Sequence, residues 1–297
     1  MNIPTAERPS GRVIQAALIA VASDSPAAQK LCGYISLLAA CFRCQKRANQ
    51  RTPNTPQNFS EFEDMNDWFI SRSPEVHRQD AIAWRACNSK AERRVHTAHT
   101  RVRWSELLRL SYFDPVRFMV VDPMHNLFLG IGPWIMKRCW IASGKISVDD
   151  LKEMDSQLRQ IRVPADIGRL PARIAVGEGF SNFTADQWKT FYQVYAIPLL
   201  WDRLKDNRDR SILMNFVRAC TLLTARIITI DQLGKAHSCL LETAKLVEAG
   251  YGTGLVTPNM HLSLHIAECC LDFGPTNSFW CFSFERHNGL LGKLAFC

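Results

Sequence analysis

This sequence predicts an α/β fold that is mainly α, and three observations predict it. Two short apolar runs, Val13 to Ala22 and Phe118 to Val121, are bounded by turn residues and read as buried strands. From Trp134 to Gly250 the chain reads mostly helical, with apolar residues at helical spacing. The 297 residues, 47% hydrophobic and 22% charged, suffice for a large core in one big domain or two smaller ones.

The net charge of +8 fits a polyanion partner such as nucleic acid without requiring one. Eleven cysteines, an odd number, fit reduced thiols in an intracellular protein better than a secreted disulfide scaffold. One feature argues the other way. Arg8 and Arg12 precede an uncharged run ending Ala20-Val21-Ala22, which has some of the pattern of a signal peptide. Gln15 interrupts that run and Glu7 precedes it, and a buried strand explains the same residues. No apolar stretch is long enough to span a membrane.

Residues 1–12, polar and holding two prolines, read as a loose lead-in. The first strand ends at Ser23-Asp24-Ser25-Pro26, and Pro26 opens a helix over Ala27 to Tyr34. Asp24 is either a carboxylate at a strand exit, a common catalytic position, or the cap of that helix. Cys41-Phe42-Arg43-Cys44 is half a zinc site, a redox motif or two core cysteines. No second CxxC follows, so further ligands must come from elsewhere; Cys32 is a candidate third thiolate. Gln45 to Asn58 is polar, basic and proline-containing, hence a linker.

Phe59 to Trp84 reads as helical in pieces. Arg85 to Arg109 is the most basic segment, with Arg93, Arg94, Arg101 and Arg103 opposed only by Glu92 and Glu106. It could track a phosphate backbone or form a solvated helix face. Asp122 stands at the exit of the second strand and His125 three residues on. Both can face the strand's end, where α/β sheets bind ligands, or act as a cap and a part-exposed histidine.

Ile141 to Arg162 is amphipathic. Gly168 to Phe183 reads as loop, and Thr184 to Gln187 as a capped start into a helix that Pro198 kinks or ends. Ser211 to Ile230 reads as a core helix and Ile230 to Ala249 as an amphipathic one. No GxSxG, Walker loop or internal repeat occurs. Near the end, His261 and His265 are four apart, so one helix face could present both imidazoles to one ion. Glu285 follows Phe279, Trp280, Phe282 and Phe284, and a carboxylate in so dry a neighbourhood needs a partner, a proton or a metal.

Taken in order, these stretches resemble one family. They are Ser23-Asp24-Ser25-Pro26-Ala27 with the CxxC pair, YFDPVRFMVVDPMHNLFLG, ADIGRLPARI with FTADQW, TPNMHLSLH, and GPTNSFWCFSFERHNGLLG. They look like the transposases of plant and fungal CACTA (En/Spm) elements of the tnp2 type, fungal ones in particular. The likeness runs from about Val13 to Gly292. It implies an RNase H-like core with an Asp, Asp, Glu triad and a large all-helical insertion before the Glu. On that plan residues 13–125 are a partial core with the CxxC and basic linker, 126–256 the helical insertion, and 257–297 the C-terminal core helices.

By motif, Asp24 matches the second catalytic Asp and Glu285 the catalytic Glu, while Asp122 and His125 match the Asp-x-x-His signature. Cys41, Cys44, His261 and His265 are placed like the zinc ligands of the related vertebrate antigen-receptor recombinase. The resemblance thus implies catalytic Mg²⁺ or Mn²⁺, structural Zn²⁺, transposon-end DNA as partner and a nuclear, intracellular location. Homo-oligomers are left open. The recognisable sequence begins at what should be the fourth strand, no matching first Asp is found, and the likeness fades soon after Glu285. The expectation is a transposase fragment without turnover alone, or a non-catalytic, zinc-stabilised remnant that binds DNA or protein.

Overall fold

The computed structural model of the chain describes residues 2–13, 15–34, 40–49, 58–62, 64–66, 68–164, 167, 170, 174–177 and 179–287. Residues 50–57 of the expected linker, most of the loop over 165–173, and 288–297 lie outside them. The described residues are mainly helical.

At the N-terminal end, β1 (Asn2–Thr5) and β2 (Arg8–Val13) pair antiparallel. The expected loose lead-in is therefore a hairpin. The expected buried strand over Val13 to Ala22 is also corrected. Val13 is 76% and Ile19 64% exposed, and among the described residues of the run only Val21 is buried. Alternating Ala, Ile and Val signal strand propensity, but a strand needs a ladder partner, and here one is supplied only at Val21. That residue forms a parallel bridge to Met119, with Val21 N–H donating to Phe118 O at 2.7 Å and Val120 N–H to Val21 O at 3.3 Å. The two apolar runs thus meet in parallel, but over one bridge. Among the described residues the named sheet is the two-stranded hairpin. The sheet of an RNase H-like core is not found beyond this bridge.

The bridge places Asp24 and Asp122 just past the ends of neighbouring parallel segments. Asp24 caps α1 (Ser25–Cys32), its Oδ1 accepting from Ala27 N–H at 2.7 Å, and Gly33 at φ +83° ends the helix. A hairpin of α2 (Pro74–Ala86) and α3 (Lys90–Thr100) follows, capped by Ser73 and Ser89.

The long middle region is helical, as expected. Met124–Ile131 and Ile135–Ile141 are wide π-helical stretches around α4 (Gly132–Trp134). The expected amphipathic helix from Ile141 is shorter: α5 (Val148–Gln160) starts at a Ser147–Asp150 capping box. The capped start at Thr184 opens α6 (Ala185–Thr190), which runs through the π-helical Phe191–Tyr195 into α7 (Ala196–Leu200). Pro198 therefore does not end this helix; the wide turn just before it has already displaced the hydrogen bonds its ring would break. Gly132 has no Cβ to hold off the Tyr192 ring, and the Tyr192 hydroxyl donates to Gly132 O at 2.7 Å.

Helices α8 (Asn207–Leu223) and α9 (Ile230–Tyr251) pack against each other along their length, burying Ile212, Phe216 and Cys220 on one and Leu233, Leu240 and Val247 on the other. The Glu248 carboxylate of α9 accepts from the N–H groups of Glu61 and Phe62 at 2.8 and 3.0 Å. This fixes the stretch carrying Phe59 against the helical region. Short helices α10 (Pro258–Ser263) and α11 (Ile266–Phe273) then bring the chain back to the CxxC segment.

Candidate metal centre and carboxylate cluster

The CxxC turn is held by its own backbone. Arg43 N–H donates to Cys41 Sγ at 3.3 Å, and Arg72 Nε donates to the carbonyls of Cys41 and Cys44 at 2.7 and 3.1 Å. Both sulfurs consequently point the same way. The histidines arrive differently from the expected single helix face. His261 lies in α10, while His265 sits at the bend between α10 and α11. Their rings still converge, with centroids 5.2 Å apart.

All four side chains are buried, and their ligand atoms lie within 4.8 Å of one another. Cys41 Sγ is 3.5 Å from His265 Nε2, and Cys44 Sγ is 3.4 Å from His261 Nε2. A tetrahedral ion with bonds of about 2.3 Å to sulfur and about 2.0 Å to nitrogen sets a sulfur–nitrogen edge of roughly 3.6 Å. The cluster therefore has the size and the donor chemistry to hold a metal ion such as zinc. Phe59 stacks on the His261 ring at 4.7 Å and Trp68 packs edge-on at 5.1 Å, so the centre is dry.

The electrostatics of the four ligands suit a cation. Burial pushes the Cys41 thiol up, while Cys44 is pulled down by hydrogen bonds from Cys41 and the two histidines. Burial lowers His261. For His265 burial also acts downward, but hydrogen bonds to Cys44 and Glu268 outweigh it and the net shift is upward. A divalent ion would stabilise both thiolates and both neutral imidazoles together. Cys32, the candidate third thiolate, is not part of the cluster; burial pushes its thiol up to about 12.

Two supporting residues carry no motif of their own and were not anticipated. Glu268 Oε2 accepts from His265 Nδ1 at 3.1 Å, which turns Nε2 toward the sulfurs. Arg43, with only 6% of its side chain exposed, pairs with Glu268 at 3.3 Å and Asp272 at 3.6 Å. Its Nη1 also donates to Arg117 O at 3.1 Å and to Val116 and Met119 carbonyls. The metal centre is thereby tied to the segment that leads into Asp122. The only sequence sign was an acid three residues after His265, the spacing of a helical neighbour. Outer carboxylates of this kind tune metal affinity, so Glu268→Ala should weaken zinc binding about 10- to 100-fold in chelator competition. Unchanged affinity would remove Glu268 from the centre.

The second cluster holds Asp122, His125 and Cys281, with Glu285 beside it. Asp122 is buried, and its oxygens are committed. Oδ2 accepts from His125 Nδ1 at 2.6 Å and His125 N–H at 2.9 Å, and Oδ1 accepts from Cys281 N–H at 2.8 Å. Asp122 is thus a cap and also the group that orients His125. The hydrogen bond from Asp122 raises the His125 pKa against the opposing effect of burial, and the charges of Asp24 and Glu285 add to the rise. His125 Nε2 lies 4.0 Å from Glu285 Oε1. Glu285 is exposed, on a helical turn over 282–287, so its surroundings are wetter than the aromatic run implied. Those aromatics face elsewhere: Trp280 and Phe282 pack edge-to-face, and Phe284 is exposed.

The basic segment forms the α2–α3 hairpin. Helix α3 buries no residue. Arg94 is exposed, Arg93 stacks over Trp84 at 4.8 Å, and Arg101 ends α3 in the left-handed region at φ +65°. Arg103 is half-buried. Arg93 and Arg94 lie on α3 and Arg101 caps it, while Arg103 lies beyond the hairpin with its N–H donating to Gly33 O at 2.8 Å; Arg93 is in part engaged in holding the hairpin together.

Comparison with protein-family models, with curated proteins and with solved structures finds no match in any of the three. Fold and site together define a mainly helical protein with a buried Cys₂His₂ cluster beside an Asp–His–Glu grouping.

Proposed function

We propose that this chain is part of a DDE-type, CACTA-like DNA transposase, with a structural zinc at Cys41, Cys44, His261 and His265 and a partial strand-transfer site at Asp24 and Glu285. One observation carries the reading beyond the sequence resemblance. Asp24 and Glu285, from opposite ends of the sequence, both lie near enough to His125 for their charges to act on it. The zinc ties the segment after Asp24 to the helices before Glu285, which is what a site assembled from those two acids needs. The parallel bridge of Val21 to Met119 is consistent with a remnant of an RNase H-like sheet.

In this reading Asp24 and Glu285 would hold Mg²⁺ or Mn²⁺, which supplies charge stabilisation at the attacked and leaving oxygens of a phosphodiester. Asp24 keeps one oxygen for that role, since the other caps α1. His125, oriented by Asp122, presents Nε2 beside Glu285 and can hold a phosphate or move a proton there. Asp122 cannot stand in as a third metal carboxylate while both its oxygens serve His125 and Cys281. Two available carboxylates bind the metal pair weakly, so the chain alone is expected to show little cleavage or strand transfer. The test is a Mn²⁺-dependent assay on duplex and nicked oligonucleotides. Robust activity that disappears in Glu285→Ala would overturn the expected inactivity and support the assignment of Glu285.

The exposed α2–α3 hairpin favours a second reading, a zinc-stabilised module that binds DNA without catalysis in the nucleus. Salt-dependent DNA binding that survives Asp24→Ala but falls in Arg94→Glu would support it. Flat isotherms at low salt would eliminate it.

A further inference from the structure

We propose that Cys281, His125 and the carboxylates beside them form a second cation site, selective for a soft divalent ion such as Zn²⁺ or Cd²⁺ over Mg²⁺. An oxygen of Asp122, a ring nitrogen of His125 and the Cys281 sulfur all lie within 4.8 Å of one another. This group shares no residue with the Cys₂His₂ cluster. The Cys281 N–H bond to Asp122 Oδ1 fixes the cysteine against the carboxylate, and the same carboxylate fixes the imidazole through Nδ1. A carboxylate holding a histidine by one nitrogen, with the other directed outward, is the usual support of a metal-ligating imidazole. Glu285 Oε1, 4.0 Å from that outward nitrogen, closes the open side.

The charges favour a cation. Burial and the nearby carboxylates Asp122, Glu285 and Asp24 push the Cys281 thiol up. A divalent ion reverses the balance: it binds the Glu285 carboxylate and the imidazole that Asp122 orients, and the thiol releases its proton to solvent as sulfur joins the ion. One sulfur, one imidazole and carboxylate oxygens suit zinc or cadmium. Magnesium prefers an all-oxygen octahedron and gains little from such a set. The ion has a way in, because His125 is part-exposed and Glu285 exposed.

Soft-cation binding here does not depend on strand-transfer chemistry, and the two fail separately. The experiment is Co²⁺ titration of the reduced, metal-free chain, followed by displacement with Zn²⁺ and with excess Mg²⁺. Wild type should take up about two equivalents. The second should show a weaker thiolate-to-cobalt absorption, as expected for one sulfur rather than two, and resist Mg²⁺. Cys281→Ser should weaken the second equivalent about 10- to 100-fold while leaving the first, which itself reports that the chain is folded. His125→Asn should do the same. A single equivalent in wild type, displacement of the second by Mg²⁺, or an unaltered second equivalent in Cys281→Ser would overturn the proposal.

Discussion

Cys41→Ser or His265→Ala is expected to empty the Cys₂His₂ centre and to produce the largest loss of stability of any single change in this chain. Purified protein should carry about one zinc there, and each variant should lose it. The effect is large because the four ligands come from two segments far apart in sequence, joined otherwise by the ion pairs of Arg43 with Glu268 and Asp272 and by the packing around His261. On one side is an irregular stretch, 40–49, with few regular hydrogen bonds; on the other are two short helices, α10 and α11. Structural zinc contributes on the order of 10 kcal/mol to folding of small domains. Here the helical region buries its own apolar surface, so part of that is redundant. A fall of about 5 kcal/mol, or roughly 10–20 °C in Tm, is the expected size. Chelation should reproduce it reversibly. Metal-free protein that melts unchanged would show that packing around Phe59 and Trp68 suffices without an ion.

Asp209→Ala should give the second largest effect, in the helical region and far from any metal chemistry. Asp209 is fully buried. Its carboxylate accepts from Trp140 Nε1 at 3.2 Å and from the Tyr251 hydroxyl at 2.5 Å, and it pairs closely with Lys145. It thereby joins the π-helical stretch before α5 to α8 and to the end of α9. Removing it strands one buried and one part-buried donor and takes away a cation's partner, which costs about 3–5 kcal/mol for a buried pair. Asp209→Asn should cost less, roughly 1–3 kcal/mol, because Lys145 is one-third exposed and can turn to solvent while the amide oxygen still accepts. Thermal melts of the two variants decide it. Equal and small losses would mean the network is dispensable.

The helical region was legible because its periodicity and caps are local. Thr184 with Gln187 and Thr229 with Gln232 form capping boxes, and these need only four consecutive residues to be recognised. Spacing made two halves legible, the Cys41–Cys44 pair and His261 with His265 four apart, and the family resemblance implied that they share one ion. The misreadings were of long-range origin. Val13 to Ala22 has strand-like residues, but burial of a strand depends on what lies beside it, and among the described residues only Val21 is bridged and buried, with Leu18, Ala20 and Ala22 packed partly against the core. Pro198 has a local penalty that a π-helical turn absorbs. Glu268 and Arg43 are ordinary charged residues until folding sets one beside His265 and the other across the carbonyls of 116–119.

The sequence by itself determined a helix-rich chain, a thiol pair and an imidazole pair each spaced to serve an ion, and the acids and histidine worth examining. Tertiary structure alone decided how the acids divide their work. Asp122 and Glu285 are both single acids in apolar stretches, and sequence treats them alike. Folding buries Asp122 against Cys281 N–H and His125, where its oxygens are committed, and leaves Glu285 at the surface with its carboxylate available. The difference arises because a carboxylate's role is set by the donors and the water around it, and those are brought together only when residues far apart in sequence pack against each other.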